Sequence, residues 1–477
     1  MGRLGGLYEQ TQQWDDAKNL TQQALILAQE IRAPEIAYQW QWQTGRLLKA
    51  TGEVSRSLVV YTEAVNTLKS LRQDLGAINQ EVQFSFRDSV EPVYRELVDL
   101  LLQGNLDQNN LASARATIEA LQLAELANFF WQACLDSQPQ SIEQVDPTAA
   151  VIYPIVLRDR LAVILSIPNQ PLQHYTTNVP QNQIEAVINR MRQSLRRTSF
   201  AQERLPIAQQ IYSWLVQPAV ADLTRHQIKT LVFVLDGSLR SLPIAALHDG
   251  KQYLIEQYGI AIAPSLQLLN PRPLARTHLK ALLGGLTEGN REFSPLPGVQ
   301  QEVSEIGAEV PSTILLDREF TFKALQTKVK TLPFSILHLA THGQFSSNLE
   351  ETFILTWDGR LDVQALNLLL ANRELLNLSP IELLVLSACQ TAQGDNRAAL
   401  GLAGVAVRSG ARSTLASLWT VSDESTANFM VQFYQELLKP GATKAEAVRL
   451  AQIHLLQQPE FSHPYYWAPF ILVGNWL

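Results

Sequence analysis

At 477 residues, with 46% apolar and 17% charged side chains, the chain is too long for one ordinary core and too apolar for a disordered one. Its 38 Lys and Arg against 45 Asp and Glu give a net charge of −7, which argues against nonspecific binding to nucleic acid or to an anionic membrane. Two cysteines, Cys134 and Cys389, exclude a secreted disulfide framework and a Cys-rich zinc site and point to a reducing cytoplasm.

The N-terminus has no apolar stretch of the signal-peptide kind, and no run of 18 apolar residues predicts a membrane span. Residues 1–135 are predicted helical: Gln, Leu, Ala and Glu dominate, and apolar residues recur at three and four. Within them a tetratricopeptide-like pattern occurs twice. One copy has Leu4, Gly5, Tyr8, Ala17 and Ala24, and the other Gly45, Leu48, Gly52, Ser57, Tyr61 and Ala64. Gly5 aligns with Gly45, a shift of 45 − 5 = 40 residues, or a 34-residue unit with about six extra. The first copy begins inside its first helix, so the segment reads as the end of a longer array. Two repeats are too few to stand alone, so helices over 79–103 and 111–135 are expected to pack on them. Stacked helix pairs of this kind usually hold a protein partner. Trp14, Trp40 and Trp42 at helical spacing read as packing residues, and Cys134, after Phe129, Phe130 and Trp131, as a buried small hydrophobe.

Residues 136–148, polar and with two prolines, read as a linker. From 149 to 477 the pattern changes to short apolar strands alternating with helices. Two strands form a hairpin through Arg158–Asp159–Arg160. Helices follow over 181–199 and 204–217. Strands are predicted at 231–236, 259–265, 280–286, 313–317, 335–343, 382–390 and 413–420, and helices at 299–308, 320–329, 398–409, 423–438 and 443–457. The fold class is therefore an all-helical repeat segment followed by an α/β domain with a mostly parallel sheet flanked by helices. Ligands of such sheets bind beyond the carboxyl ends of the strands.

Two strand ends carry chemistry. One reads Leu337-His338-Leu339-Ala340-Thr341-His342-Gly343, the other Leu386-Ser387-Ala388-Cys389-Gln390. A thiolate at one strand mouth can attack a carbonyl while an imidazole at the next takes and returns the proton. Each residue alone also has a structural reading, the thiol as a small hydrophobe and the imidazole as a satisfied polar group. His338 shares a face with His342 if the strand stays regular, so periodicity does not choose between them. Gly343 favours His342, because a glycine there marks a break that exposes backbone. The backbone N–H groups of Gly343 and Cys389 are then candidate oxyanion donors.

At these residues the chain resembles the CHAT domain family, caspase-like domains found joined to tetratricopeptide repeats. The resemblance covers about 150–477. It rests on VLDGSLRSLPIAAL (234–247), YLIEQYGIAIAPS (253–265), LPGVQQEV (296–303), HLATHGQF (338–345), the long stretch from LSACQTA to SDEST (386–426) and HPYYWAPFILVGNW (463–476). Where the family commonly begins the first signature with Pro-Asp-Gly, this chain has Leu235-Asp236-Gly237. The resemblance implies a fold of the caspase, gingipain and separase kind. It also implies a cysteine endopeptidase with His342 and Cys389 as a dyad, a protein or peptide substrate, and no cofactor or metal.

Trp419-Thr420-Val421-Ser422-Asp423 looks like the tryptophan–aspartate element of separases, which cleave after arginine. A pocket carboxylate would select a basic side chain, with Asp423 as the first candidate and Asp395 as the second. Asp423 also has a structural reading, as N-cap of the helix that begins there. Other motifs compete weakly. Gly284–Asn290 is glycine-rich but lacks P-loop or dinucleotide spacing and reads as a loop, and neither G-x-S-x-G nor H-E-x-x-H occurs. Arg190, Arg192, Arg196 and Arg197 read as a solvated helix face, and His174, His226, His248, His278, His454 and His463 as surface or capping groups. The expectation is a cytoplasmic cysteine peptidase restrained until a regulatory protein docks on the repeats. The rivals are a catalytically silent scaffold and a small-molecule acyl-transfer enzyme using the same dyad.

Overall fold

The computed structural model describes residues 1–74, 86–104, 106–130, 146–269, 271–276, 279–289, 292–346, 351–375, 378, 380–391 and 410–477. The chain divides into two compact units, Met1–Asp136 and Ser137–Leu477.

The first unit is helical. Helices α1 (Gly2–Gln10), α2 (Trp14–Glu30), α3 (Pro34–Ala50) and α4 (Val54–Asp74) are joined by three-residue turns. The 40-residue shift seen in the sequence is reproduced in the backbone. Gln13 and Glu53 donate their N–H groups to Tyr8 and Leu48, and Thr11 and Thr51 bond Leu7 and Leu47 through both backbone and hydroxyl. Gln12 and Gly52 both take positive φ, 59° and 83°. The extra residues lie within the helices, not in a loop: 17 + 3 + 17 + 3 = 40 from Trp14 through Glu53.

Small residues sit where helices cross. A side chain on Gly45 would come within 2.8 Å of the ring of Tyr61, and one on Gly5 within 2.8 Å of the Thr21 hydroxyl. Helices α5 (Glu91–Leu101) and α6 (Gln108–Phe130) supply the expected further packing. On α5, Glu96 accepts from Trp42 Nε1 at 2.8 Å and from the Tyr61 hydroxyl at 2.5 Å, joining three helices through one carboxylate. Trp14, Trp40 and Trp42 are half-buried packing residues. Cys134 lies outside the described residues.

The second unit is built on one mixed sheet. The predicted hairpin forms from β1 (Ala149–Val156) and β2 (Leu161–Ser166), and β3 (Gln173–Thr177) extends it antiparallel. On the other side of β1, β4 (Thr230–Phe233) and β5 (Gly259–Ile262) run parallel. These five strands join the rest through a single pair, Ile262 with Val473 of β13 (Phe470–Gly474). Beyond β13 come β12 (Ser413–Ser417), antiparallel to it, then β11 (Leu383–Thr391) and β8 (Ile336–Phe345), all parallel to β12.

The far edge of β8 is shared. Its first half pairs with β6 (Ala281–Gly285), which in turn holds β7 (Ser312–Leu316). Its second half pairs antiparallel with β9 (Phe353–Thr356), the first strand of a hairpin with β10 (Gly359–Asp362). The sheet is thus two parallel blocks of opposite direction, β6, β7, β8, β11 and β12 in one and β13, β5, β4 and β1 in the other, which meet at the antiparallel β12–β13 pair, with further antiparallel strands at its margins. β3 and β10 carried no sequence signal because they are short, polar edge strands.

Helices flank the sheet, six at spans the apolar period predicted and four, over 220–225, 254–257, 363–375 and 464–467, at spans it did not mark. They include α7 (Gln181–Ser194), α8 (Ala201–Leu215), α9 (Val220–Arg225), the single turn α10 (Leu254–Gln257), α11 (Gly298–Glu309), α12 (Phe322–Thr331), α13 (Val363–Leu375), α14 (Asp423–Leu437), α15 (Lys444–Gln457) and α16 (Pro464–Trp467). The predicted helix 398–409 lies outside the described residues. Ile336, Leu337 and Leu339 of β8 and Leu383, Leu384, Val385 and Leu386 of β11 are essentially inaccessible to water. Each buried side chain of this size contributes roughly 1.5–3 kcal/mol, so these two strands form a stiff base for whatever stands at their ends.

Gly284 and Gly285, shared between the predicted strand 280–286 and the glycine-rich stretch read as a loop, form the end of β6. A side chain on Gly284 would strike the Phe320 ring, and one on Gly285 would come within 2.7 Å of Val299. Gly285 therefore lets α11 lie close on the sheet beside β8.

Candidate active site

β8 and β11 run side by side in the same direction, which brings the two singled-out strand ends together. The register pairs Ile336 with Leu383 and continues to Ala340 with Ser387; it resumes at Gly343 with Cys389. Between those points Thr341 and His342 on β8 face Ala388 alone on β11. This is a β-bulge, and His342 is one of its two residues. Bulges of this kind break the ladder and re-aim side chains. Cys389 therefore lies across from the residue that follows His342.

β8 does not end at His342, as the glycine had suggested. It runs on to Phe345, with Gly343 paired to Cys389 on one side and Ile354 on the other. The returning strand β9 supplies that edge, a partner that glycine content could not reveal. The ladder is interrupted at the bulge, one step before Gly343.

The two histidines of β8 have different surroundings. His338 is fully buried; its Nε2 stands 2.8 Å from Oε1 of Glu302 on α11, and its Nδ1 stands 3.1 Å from the hydroxyl of Tyr434 on α14. Burial and the Glu302 carboxylate push the Tyr434 hydroxyl pKa well above the ordinary phenol value, so it stays protonated. His338 is the satisfied core group.

His342 is half-buried, and its Nε2 lies 2.7 Å from the backbone carbonyl of Ser294. A carbonyl only accepts, so Nε2 is the donor, and in a neutral ring the lone pair then lies on Nδ1. Phe293 lies against the same imidazole, with centroids 5.1 Å apart, and is backed by Phe353. The segment 292–297 thus fixes both the plane and the tautomer of His342.

Asp423 is the first residue of α14. The N-cap is Ser422, whose hydroxyl accepts from Ser425, and not Asp423. The Asp423 carboxylate instead accepts the N–H of Gly298 at the start of α11. Its pKa is raised, chiefly by burial and further by Glu302, against the opposing effects of the Gly298 N–H and of nearby His342. The strand-to-helix segment before it is tied down by the terminal signature. Tyr465 donates its hydroxyl to the Thr420 carbonyl at 3.0 Å, and Trp419 Nε1 donates to the Tyr465 carbonyl at 3.1 Å. His463, a capping group as expected, accepts the Tyr465 N–H on Nδ1. Asp395 lies outside the described residues.

Sequence reasoning missed three participants: the Ser294 carbonyl, Phe293 and Glu302. The first two lie in an irregular segment without a period. Glu302 did leave a signal. It shares a helix face with Val299, Val303 and Ile306, and a carboxylate on a buried stripe requires a partner. Among the described residues no group of three or more His, Cys, Asp or Glu is placed to hold a metal ion, and no helix is long and apolar enough to cross a membrane.

A cysteine and a histidine on adjacent parallel strands, in neighbouring register positions beside a bulge near the carboxyl ends, define an α/β unit with a candidate nucleophile–base pair. The CHAT domain family matches residues 205–475, more than half of the chain, and the chain belongs to that family. Among curated proteins it is similar to human tetratricopeptide repeat protein 28, 25% identical over 345 residues, covering 59% of this chain and 13% of that protein. The mouse counterpart is 27% identical over 338 residues, covering 57% and 13%. The chain therefore spans 13% of the length of these relatives. Among solved structures, the Saccharomyces cerevisiae separase–securin complex aligns over 87% of this chain and 38% of that one, with a TM-score of 0.49 and 11% identity. The Arg-specific cysteine proteinase gingipain R aligns over 62% and 74%, with a TM-score of 0.37 and 9% identity.

Proposed function

We propose that the chain is a cysteine endopeptidase. The observation that carries this reading is the register of β8 on β11, which sets Cys389 opposite Gly343, next to His342. Cys389 is the nucleophile: its thiolate attacks the scissile carbonyl and forms a thioester as the amine departs. His342 takes the thiol proton on Nδ1 and delivers it to the leaving amine, and a water then hydrolyses the thioester. The Ser294 carbonyl keeps the proton on Nε2, so that Nδ1 faces the reaction as the base. The backbone N–H groups of Gly343 and Cys389 are the oxyanion donors, next to the bulge that interrupts the ladder. No cofactor enters these steps. The substrate is a protein or peptide. A carboxylate would favour a basic side chain before the cut, and Asp423 and Asp395 are the two candidates for it. The reading sets the enzyme in the cytoplasm, where a thiolate stays reduced, with a regulatory protein on the helical repeats.

A second reading, a scaffold that binds without cutting, draws on the segment 292–297, which already engages His342 through Ser294 and Phe293.

The test is cleavage of a diverse peptide library by this chain and by Cys389→Ala. The peptidase reading expects cleavage that vanishes in the variant. Cleavage that survives in Cys389→Ala would remove Cys389 from the mechanism. Absence of cleavage by the wild-type chain, with the repeats present or with 1–135 deleted, would favour the scaffold.

A further inference from the structure

We propose that Asp423 is a positioning residue for His342, acting as a hydrogen-bond acceptor on the first turn of α11. The consequence for rate rests on the peptidase reading; the contact itself does not.

The path is short and each step is a contact. Asp423 accepts the N–H of Gly298, the first residue of α11. Four residues earlier, Ser294 accepts from His342 Nε2 at 2.7 Å. Pro295, Leu296 and Pro297 join them, and two prolines of fixed φ make the connection stiff. A shift at Gly298 is therefore passed to the carbonyl that sets the imidazole.

The two ends of the path are rigid. Asp423 starts a helix capped by Ser422, after a segment tied down by Tyr465. The body of α11 is held on the sheet by Val299, Val303 and Ile306 and by the contact of Glu302 with His338. Other contacts also hold the segment, two of them polar bonds to neighbouring elements. The Leu296 N–H donates to the Thr287 carbonyl at 3.0 Å, and Glu292 pairs with Arg360. That ion pair is mostly exposed and contributes little. The bond at Gly298 has a half-buried ionisable acceptor, the stronger kind.

Gly298 is a glycine for the same reason. A Cβ there would lie 2.8 Å from the Asp423 carboxylate carbon, so any side chain would push the acceptor away. What the site uses at 423 is an acceptor oxygen, and an amide oxygen can replace it. A specificity pocket would use the negative charge, which an amide cannot replace.

Three variants of the full chain decide the matter: Asp423→Ala, Asp423→Asn and Gly298→Ala. The readout is the tautomer of His342 from ring-nitrogen NMR of histidine-labelled protein, assigned with His342→Asn. It requires no catalytic activity, so it separates failure of this inference from failure of the peptidase reading. In the wild-type chain the proton is expected on Nε2. Asp423→Ala and Gly298→Ala are expected to populate the other tautomer, and Asp423→Asn to restore the wild-type signal. If Asp423→Ala does not fold, Gly298→Ala alone serves, because it keeps the carboxylate and displaces it. Unchanged His342 signals in Asp423→Ala, or in Gly298→Ala when that variant stands alone, overturn the proposal. So does a shift in Asp423→Asn equal to that in Asp423→Ala, which would assign the effect to charge.

On the peptide cleaved best by the wild-type chain, Asp423→Ala should lose roughly tenfold or more in kcat with little change in KM, and Asp423→Asn should recover most of it. A raised KM confined to basic substrates in both variants would assign Asp423 to the pocket instead.

Discussion

The two histidines of β8 stand on one strand, four residues apart, in opposite circumstances. At 338 the strand is regular, the ring is sealed from water, and both nitrogens are engaged by side chains from two helices. At 342 the strand is bulged and the ring is half-buried. One nitrogen is held by a backbone carbonyl, so that in a neutral ring the other carries the lone pair. The difference separates a structural imidazole from one whose surroundings suit the proposed role of base. The first is satisfied at every polar atom. The second is satisfied at one and oriented at the other.

The largest effects should come from the chemical end. His342→Ala and Cys389→Ala are each expected to lower peptide cleavage by about a thousandfold or more, measured as kcat/KM, while leaving the urea midpoint almost unchanged. Comparable loss of stability in His342→Ala would erase the distinction between the two rings.

The interior end should behave in the reverse way. Glu302→Ala leaves a buried imidazole without its carboxylate and is expected to cost about 3 kcal/mol in urea unfolding. A cost below about 1 kcal/mol would mean that the His338 network is not the core element described here.

Phe293→Ala removes the ring that lies tilted against His342 and leaves the His338 contacts in place. An aromatic contact of this kind is worth about 0.5–1.5 kcal/mol, so a fall of roughly two- to tenfold in kcat is expected, with stability little changed. An unaltered kcat would show that the Ser294 carbonyl alone orients the ring.

The smallest effect concerns pH. The Asp423 pKa is raised in the folded chain above its ordinary value of 3.8. A raised group gives stability that is complete below its unfolded pKa and is lost as pH rises through the folded value. Asp423→Asn does not titrate. Its stability relative to the wild-type chain should therefore improve as pH rises from about 4 towards neutrality. A difference that stays constant over that range, read from urea midpoints, would contradict the raised pKa.

Much of this was legible in the sequence, for identifiable reasons. The core strands announced themselves as continuous apolar runs because both of their faces are covered. The 40-residue repeat was legible because its signal is small residues at helix crossings, where Gly45 meets Tyr61. His342 and Cys389 could be named because strand ends are where parallel sheets keep their chemistry.

The bulge at 341–342 was not legible, since a register shift is a relation between two strands and leaves no mark in either. The segment 292–297 was missed because it binds through a backbone carbonyl, which every residue carries. The contact of Asp423 with the Gly298 N–H was not legible either, because that partner comes from an element 125 residues away.

The central claim is that His342 activates Cys389, and the reactivity of the thiol tests it most directly. With two cysteines in the chain, alkylation by iodoacetamide can be followed at Cys389 and Cys134 separately by mass spectrometry, in the wild-type chain and in His342→Ala. Cys389 is expected to react faster than Cys134 near neutral pH, with His342→Ala slowing Cys389 alone. A Cys389 rate that His342→Ala leaves unchanged would contradict that claim.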